Sequence, residues 1–191
     1  MPRRFVVQFC GLFPLLLAFF LLALSSTTPA YAVGETVVTT TTLANDPSDG
    51  KCSLREALQA AFLQKSEGKL SVTYNECSAT AGPTTITFAG DVAAGVLTLK
   101  PTDDPLPMII KEVIIIGPVT LRGSGPQPAN ADHKDSRLLW LQEGGELTLM
   151  NLTLQNGYTT GFGGAILSYS SNTVINLIGV SVVDNTAEGN G

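Results

Sequence analysis

Histidine is nearly absent from this chain of 191 residues: His133 stands alone. One histidine, with no Gly-x-Ser-x-Gly segment, leaves a Ser–His hydrolytic triad without support. Basic residues are also few, 11 Lys and Arg against 16 Asp and Glu, giving a formal charge of −5. That balance disfavours nucleic acid and anionic membrane as partners. Cysteine occurs three times, and neither a histidine nor a third cysteine lies beside Cys52 or Cys77, so a metal pair or a reactive thiol lacks companions. Paired carboxylates are missing too. Asp103 and Asp104 are adjacent, but Pro101, Pro105 and Pro107 frame them as a turn, and neighbours on a strand would point to opposite faces. Lyase or glycosidase chemistry needs carboxylates that converge. No catalytic residue, metal site or cofactor is assigned.

Long apolar runs are limited to one, from Phe5 to Leu24; Val113 to Gly117 is too short to cross a bilayer. Arg3 and Arg4 precede the run, and Ala30-Tyr31-Ala32 follows it with small residues where a signal peptidase reads. Gln8, Gly11 and Pro14 interrupt it, which favours a cleaved export signal over residues 1–32 rather than a membrane anchor. Cys10 leaves with that segment. The remaining 159 residues carry 9 basic and 16 acidic side chains. Their two cysteines, Cys52 and Cys77, form an even pair in an exported chain and read as a disulfide. Closing such a loop stabilises the fold by about 3 kcal/mol.

Residues 33–83 form the first region. The Val/Thr-rich stretch Val33 to Leu43 favours extended backbone, and Asn45 to Gly50 is a turn cluster. Ser53 and Glu56 then make a capping box, predicting a helix that runs to about Leu63 on the apolar spacing of Leu54, Ala57, Leu58, Ala61 and Phe62. Residues 64–83 are polar and read as a loop held by the disulfide. Asn45 to Glu56 has the length of a calcium loop, but Pro47 offers no side-chain oxygen and Glu56 is employed as a cap. Asp46 and Asp49 are expected in Asx turns.

Residues 84–191 consist of short β runs bounded by Gly, Pro, Asn or Asp. Leu147 to Leu154 aligns with Ile175 to Val182 at an offset of 28 residues, with Asn151 and Gly179 at the centres. Both residue types tolerate positive φ, which predicts a corner there. Val113 to Leu121 resembles a further copy with its corner at Gly117, shifted by one after Pro118. Short strands meeting at a corner with a fixed period predict an all-β parallel β-helix; a β-sandwich requires no such register. Leu149 should lie over Leu177 and Leu154 over Val182, with the disulfide-stapled helix as the N-terminal cap. The chain stops within a repeat, so truncation, and self-association through an open last coil, are expected.

Cys52-Ser53-Leu54-Arg55-Glu56-Ala57, the Thr-rich strand before it, Cys77, Ile86-Thr87-Phe88 and Ser136-Arg137 ahead of Leu147 together resemble the CSLREA-domain proteins. Those are exported bacterial surface proteins with a right-handed parallel β-helix. Gly163-Gly164-Ala165-Ile166 and Val182-Val183-Asp184-Asn185 are also similar to the paired tetrads of polymorphic outer membrane protein repeats, marking Gly163, Gly164 and Asn185 as repeat positions. The resemblance implies an extracellular or cell-surface location, including association with the outer membrane. With no residue cluster assigned to catalysis, the leading reading is a non-enzymatic, adhesin-like scaffold whose loops meet glycans or cell-surface proteins. A carbohydrate-active β-helix and a purely structural stalk are the alternatives. Asp132 to Arg137 reads as a solvated loop, and Asn151-Leu152-Thr153 as a corner rather than a glycosylation site. Tyr158, Phe162 and Tyr169, in and after the long loop between the best repeats, are the aromatics on which a ligand face or simple packing would rest.

Overall fold

The computed structural model describes residues 34–126 and 135–189; the expected export signal lies outside them. The described residues are mostly β with one helix. Its strands are β1 (Gly34–Val38), β2 (Ser71–Tyr74), β3 (Cys77–Thr80), β4 (Thr84–Phe88), β5 (Val96–Thr98), β6 (Glu112–Arg122), β7 (Leu139–Leu141), β8 (Glu146–Gln155), β9 (Tyr158–Thr159), β10 (Ile166–Ser168), β11 (Val174–Ile178), β12 (Ser181–Val183) and β13 (Thr186–Ala187), with helix α1 at Leu54–Ser66. No described helix is long and apolar enough to cross a membrane.

The largest sheet is parallel throughout, in the order β1-β4-β6-β8-β11, with β5 beside β6 and β12 beside β8. Two smaller parallel pairs join β7 with β10 and β9 with β13. Parallel neighbours put like positions on top of one another, so inward side chains form columns. One column reads Thr36, Ile86, Ile115, Leu149, Leu177; another reads Leu97, Leu121, Leu154, Val182. Leu149 lies against Leu177 and Leu154 against Val182, at the 28-residue offset read from the repeats. Alternation along β8 buries Leu147, Leu149, Leu152 and Leu154 and leaves Thr148, Met150 and Thr153 half-buried.

Asn151 (φ 56°) and Gly179 (φ 64°) turn the corner in left-handed backbone. Gly117 does not. Pro118 fixes its own φ, and the register slips by one between Ile116 and Val119, so two residues oppose Asn151 alone. A Cβ on Gly117 would run into the Asn151 carbonyl, so glycine is required by close approach.

Residues 71–80, expected as loop, form the antiparallel hairpin β2–β3 around Asn75 (φ 50°). Each strand spans only four residues, with Val72 and Tyr74 half-buried on β2 and Cys77 and Ala79 buried on β3, too short a pattern among polar neighbours to stand out as a strand. Helix α1 runs to Ser66, three residues beyond the expected end. The first strand is shorter than Val33 to Leu43, since β1 stops at Val38. Met108 to Ile110 contributes only a bridge, Ile109 to Leu141.

Candidate functional site

Every residue of the hexapeptide has a structural task. Cys52 is disulfide-bonded to Cys77, with their Cα atoms 5.1 Å apart. Ser53 is the N-cap of α1; its hydroxyl accepts from the Glu56 N–H and donates to the Ala44 carbonyl at 2.7 Å. Leu54 and Ala57 are core. Glu56 is itself buried, and its carboxylate accepts from the Ser53 N–H at 2.9 Å, the Asp46 N–H at 3.0 Å and the Asn75 amide at 2.7 Å. Both oxygens are therefore occupied by N–H donors, and the arrangement is a knot joining cap, loop and hairpin. Asp46 and Asp49 accept from the Ser48 and Lys51 N–H groups, as Asx turns do. The Ser48 hydroxyl and N–H hold the Asp46 carboxyl below its ordinary range. Among the described residues no group of three or more His, Cys, Asp or Glu could hold a metal ion.

Arg55 extends the knot. It donates to the carbonyls of Leu43 (2.7 Å), Pro105 (2.8 Å) and Asp104 (2.5 Å). A hollow of about 480 Å³ surrounds it, lined by Asn45, Gln59, Tyr74, Asp103 and Pro107. Its polar groups mostly face one another: Asn45 bonds Tyr74 and Asn75, and Asp103 accepts from the Lys100 N–H. Opposite α1, Lys111 is buried and donates to two neutral acceptors, Gln64 Oε1 at 2.7 Å and the Thr80 carbonyl at 2.6 Å. Burial, with Lys65 nearby, lowers its pKa to about 8, against a smaller opposing pull from Glu112.

The repeat residues hold one strand layer on the next. Gly163 has φ 66°, and a Cβ on Gly164 would run into the Thr186 backbone. Asn185 is not the bend; Asp184 (φ 53°) and Asn156 (φ 54°) are. Asn185 instead accepts from the Gly157 N–H at 2.7 Å and donates to the carbonyls of Leu154 and Val183, both at 2.9 Å. An amide carrying donor and acceptor suits that bridge, which frees Asp184 to take the left-handed step.

A second cleft, of about 360 Å³, opens beside β7 and β10 and is lined by Arg137, Trp140, Gln142, Phe162, Leu167 and Tyr169. Trp140 faces outward because Leu139 and Leu141 on either side are core. Tyr169 lies 6.0 Å from it, centroid to centroid, with the rings tilted by 47°. The Arg137 guanidinium sits 5.7 Å from the Trp140 centroid. Arg137 also donates to the Gly163 carbonyl and the Thr159 hydroxyl, both at 3.0 Å, and pairs with Asp135 at 3.6 Å. It thus ties the 159–163 loop to the platform, and its charge is balanced locally. Tyr169 is 67% exposed and Phe162 51%. Trp140 also lines two adjoining hollows reaching Pro105, Leu106 and Met108.

Of the aromatics singled out in the sequence, Phe162 and Tyr169 reach this cleft. Tyr158 does not: it is buried, and its hydroxyl donates to Glu188 at 2.6 Å, which raises its pKa. Of the charged run at 132–137, residues 132–134 lie outside the described residues. Trp140 and Arg137 were not anticipated as site residues. The usable signal was alternation in Leu139-Trp140-Leu141, which places the tryptophan on the face opposite two core leucines. No family model, no curated protein and no solved structure matches the chain.

Proposed function

We propose that the chain is a non-enzymatic, exported right-handed parallel β-helix protein that binds neutral glycans in the Trp140–Tyr169 cleft. Three features support the β-helix reading: parallel pairing in three of the sheets, inward columns, and left-handed turns that repeat at 28 residues, Asn151 with Gly179 and Asn156 with Asp184. Right-handed return of a parallel crossover follows from strand twist. A disulfide in place supports an oxidising, extracellular or cell-surface setting.

The observation that carries the binding reading is the pair of exposed aromatics flanking a half-buried tryptophan. A pyranose has an apolar C–H face and a rim of hydroxyls. Aromatic faces with polar groups at their edges match both properties. Here Trp140, Tyr169 and Phe162 supply the faces, and the Gln142 amide and the Tyr169 hydroxyl the edge. The Asp135–Arg137 pair leaves no net charge at the cleft, and the acidic chain repels polyanions, so uncharged sugars fit best.

A glycan array, read together with an assay for new reducing ends, tests this. Binding of neutral glycans without cleavage is expected, weakened about tenfold or more by Tyr169→Ala. New reducing ends would replace the proposal with a carbohydrate-active enzyme. Failure to bind any glycan would leave a structural stalk.

A further inference from the structure

The Trp140 cleft does not stand alone. Ile109 bridges Leu141, and Leu141 pairs with Ser168, all in parallel register. The residues just before them, Met108, Trp140 and Leu167, therefore stand in one row up the side of the stack. Ile109 and Leu141 are core, so this row faces outward, and its three side chains are half-buried. Its rungs are about 4.8 Å apart, close to the roughly 5 Å by which each ring of an extended β-linked glycan advances.

Toward α1 the row continues. Met108 and Trp140 share a hollow of about 190 Å³ with Pro105, Pro107 and Gln59. Those last three residues also line the 480 Å³ hollow around Arg55. Each hollow thus shares a wall with the next, from α1 to the aromatic cleft. Residues 105–110, 138–142 and 164–173 contain no Lys, Arg, Asp or Glu. Near α1 the Arg55 guanidinium is engaged by three carbonyls, with Asp103 and Asp104 beside it.

Polar groups along this course lack protein partners. The Trp140 indole N–H is buried and has no acceptor among the described residues, a condition that costs about 1 to 3 kcal/mol and is rare for a buried donor. Neither the Gln59 nor the Gln142 side-chain amide bonds a described residue. An amide presents donors and an acceptor together, which matches a hydroxyl. A long uncharged chain answers all of these features, with apolar ring faces against the row and hydroxyls toward the amides.

We propose, resting on the glycan reading of the cleft, that the row is an extended groove and that its ligand is a linear neutral polysaccharide held along its length. Its subsites are the Trp140 cleft, the stretch over Met108 and Pro107, and the side of α1 at Gln59. Once one ring is bound, the next binds without a second loss of translational freedom, so affinity grows with chain length. Helix α1 then acts in binding as well as in closing the stack.

Titration with neutral β-1,4-linked oligomers of glucose, mannose, xylose and N-acetylglucosamine, two to six rings long, followed by Trp140 fluorescence, tests the groove. In a series that binds, affinity should rise about tenfold or more between two rings and four. Gln59→Ala should lower the six-ring affinity about threefold or more and reduce the ratio of six-ring to two-ring affinity, whereas Tyr169→Ala should weaken every length. Affinity independent of length, or a Gln59→Ala loss that is absent or equal at all lengths, would overturn the groove and leave the cleft as a single-sugar site. Binding by none of the series would overturn groove and cleft together. Tighter binding of a polyproline peptide than of any oligomer would overturn the groove in favour of a protein partner.

Discussion

The two ends of the parallel stack are built from the same column positions and differ in what closes them. At the first end, Thr36 and Ile86 are buried beneath α1 and the β2–β3 hairpin; the Cys52–Cys77 bridge and Glu56 join helix to hairpin, and the Thr36 hydroxyl bonds the hairpin's Ser78 carbonyl. At the last end, Leu177 occupies the same column and is half exposed. A strand in such a stack is apolar on its inner face whether or not a next layer arrives. The pattern of a strand therefore states its register, and its neighbours decide its stability. Covering a parallel stack requires a separate device, and here it is local, polar and covalent.

The sharpest way to break the comparison is to shorten one column at two heights. Leu149→Ala, in the enclosed layer, is expected to reduce unfolding free energy by about 3 to 4 kcal/mol, as transfer and cavity terms add. Leu177→Ala removes the same atoms from a half-exposed site and should reduce it by about 1 kcal/mol. Urea unfolding followed by fluorescence of Trp140, the one tryptophan, measures both. Equal losses would mean that the last layer is as enclosed as the one below it, and the contrast between the ends would fail.

Removing the covalent part of the cap comes next in size. The bridge spans a sequence separation of 25, and Cys52→Ser with Cys77→Ser should lower stability by about 3 kcal/mol through the freer unfolded chain. The cleft is assembled from β7, β10 and the 159–163 loop, far along the chain from the bridge. Trp140 emission in the folded double variant should therefore match that of the parent. A shifted folded-state spectrum would show that the cap shapes the cleft as well as stabilising the end.

What the sequence made legible was whatever depends on short-range rules. Alternation in Leu147–Leu154 and Ile175–Val182, centred on residues tolerant of positive φ, announced strand, corner and register together. Ser53 and Glu56 announced the helix start, and the even pair of cysteines beyond the expected export signal announced their bridge. The less legible features rest on partners distant in sequence or on competition between neighbours. The β2–β3 hairpin alternates over only four residues in each strand, too short a run to announce itself. Asn185, marked in the sequence only as a repeat position, makes three bonds with the layer below and its own strand end. The cleft needs Arg137, Trp140 and Tyr169 brought together from separate elements. Lys111 reads as an ordinary surface lysine until Gln64 and Thr80 fold over it.

That lysine provides the smallest and most selective comparison of the ends, because the titrations at the two ends have opposite sign. Burial brings Lys111 to about 8 from an ordinary 10.5. Below pH 8 both folded and unfolded chains hold the proton, so Lys111 contributes no slope. Between about 8 and 10.5 the unfolded chain holds a proton that the folded chain has released, so stability rises with pH across that window. Water reaching the amine reduces the effect well below the full shift, to about 1 kcal/mol. Tyr158, bonded to Glu188 toward the other end, has its pKa raised; its contribution is present below pH 10 and is lost as pH rises beyond it. Urea titrations at pH 8 and pH 10, on the parent and on Lys111→Met, separate the two ends. The parent should gain stability relative to the variant over that interval. A flat or falling difference would mean that the ammonium is as well solvated under the hairpin as in water, and that the cap closes the stack less tightly than its hydrogen bonds indicate.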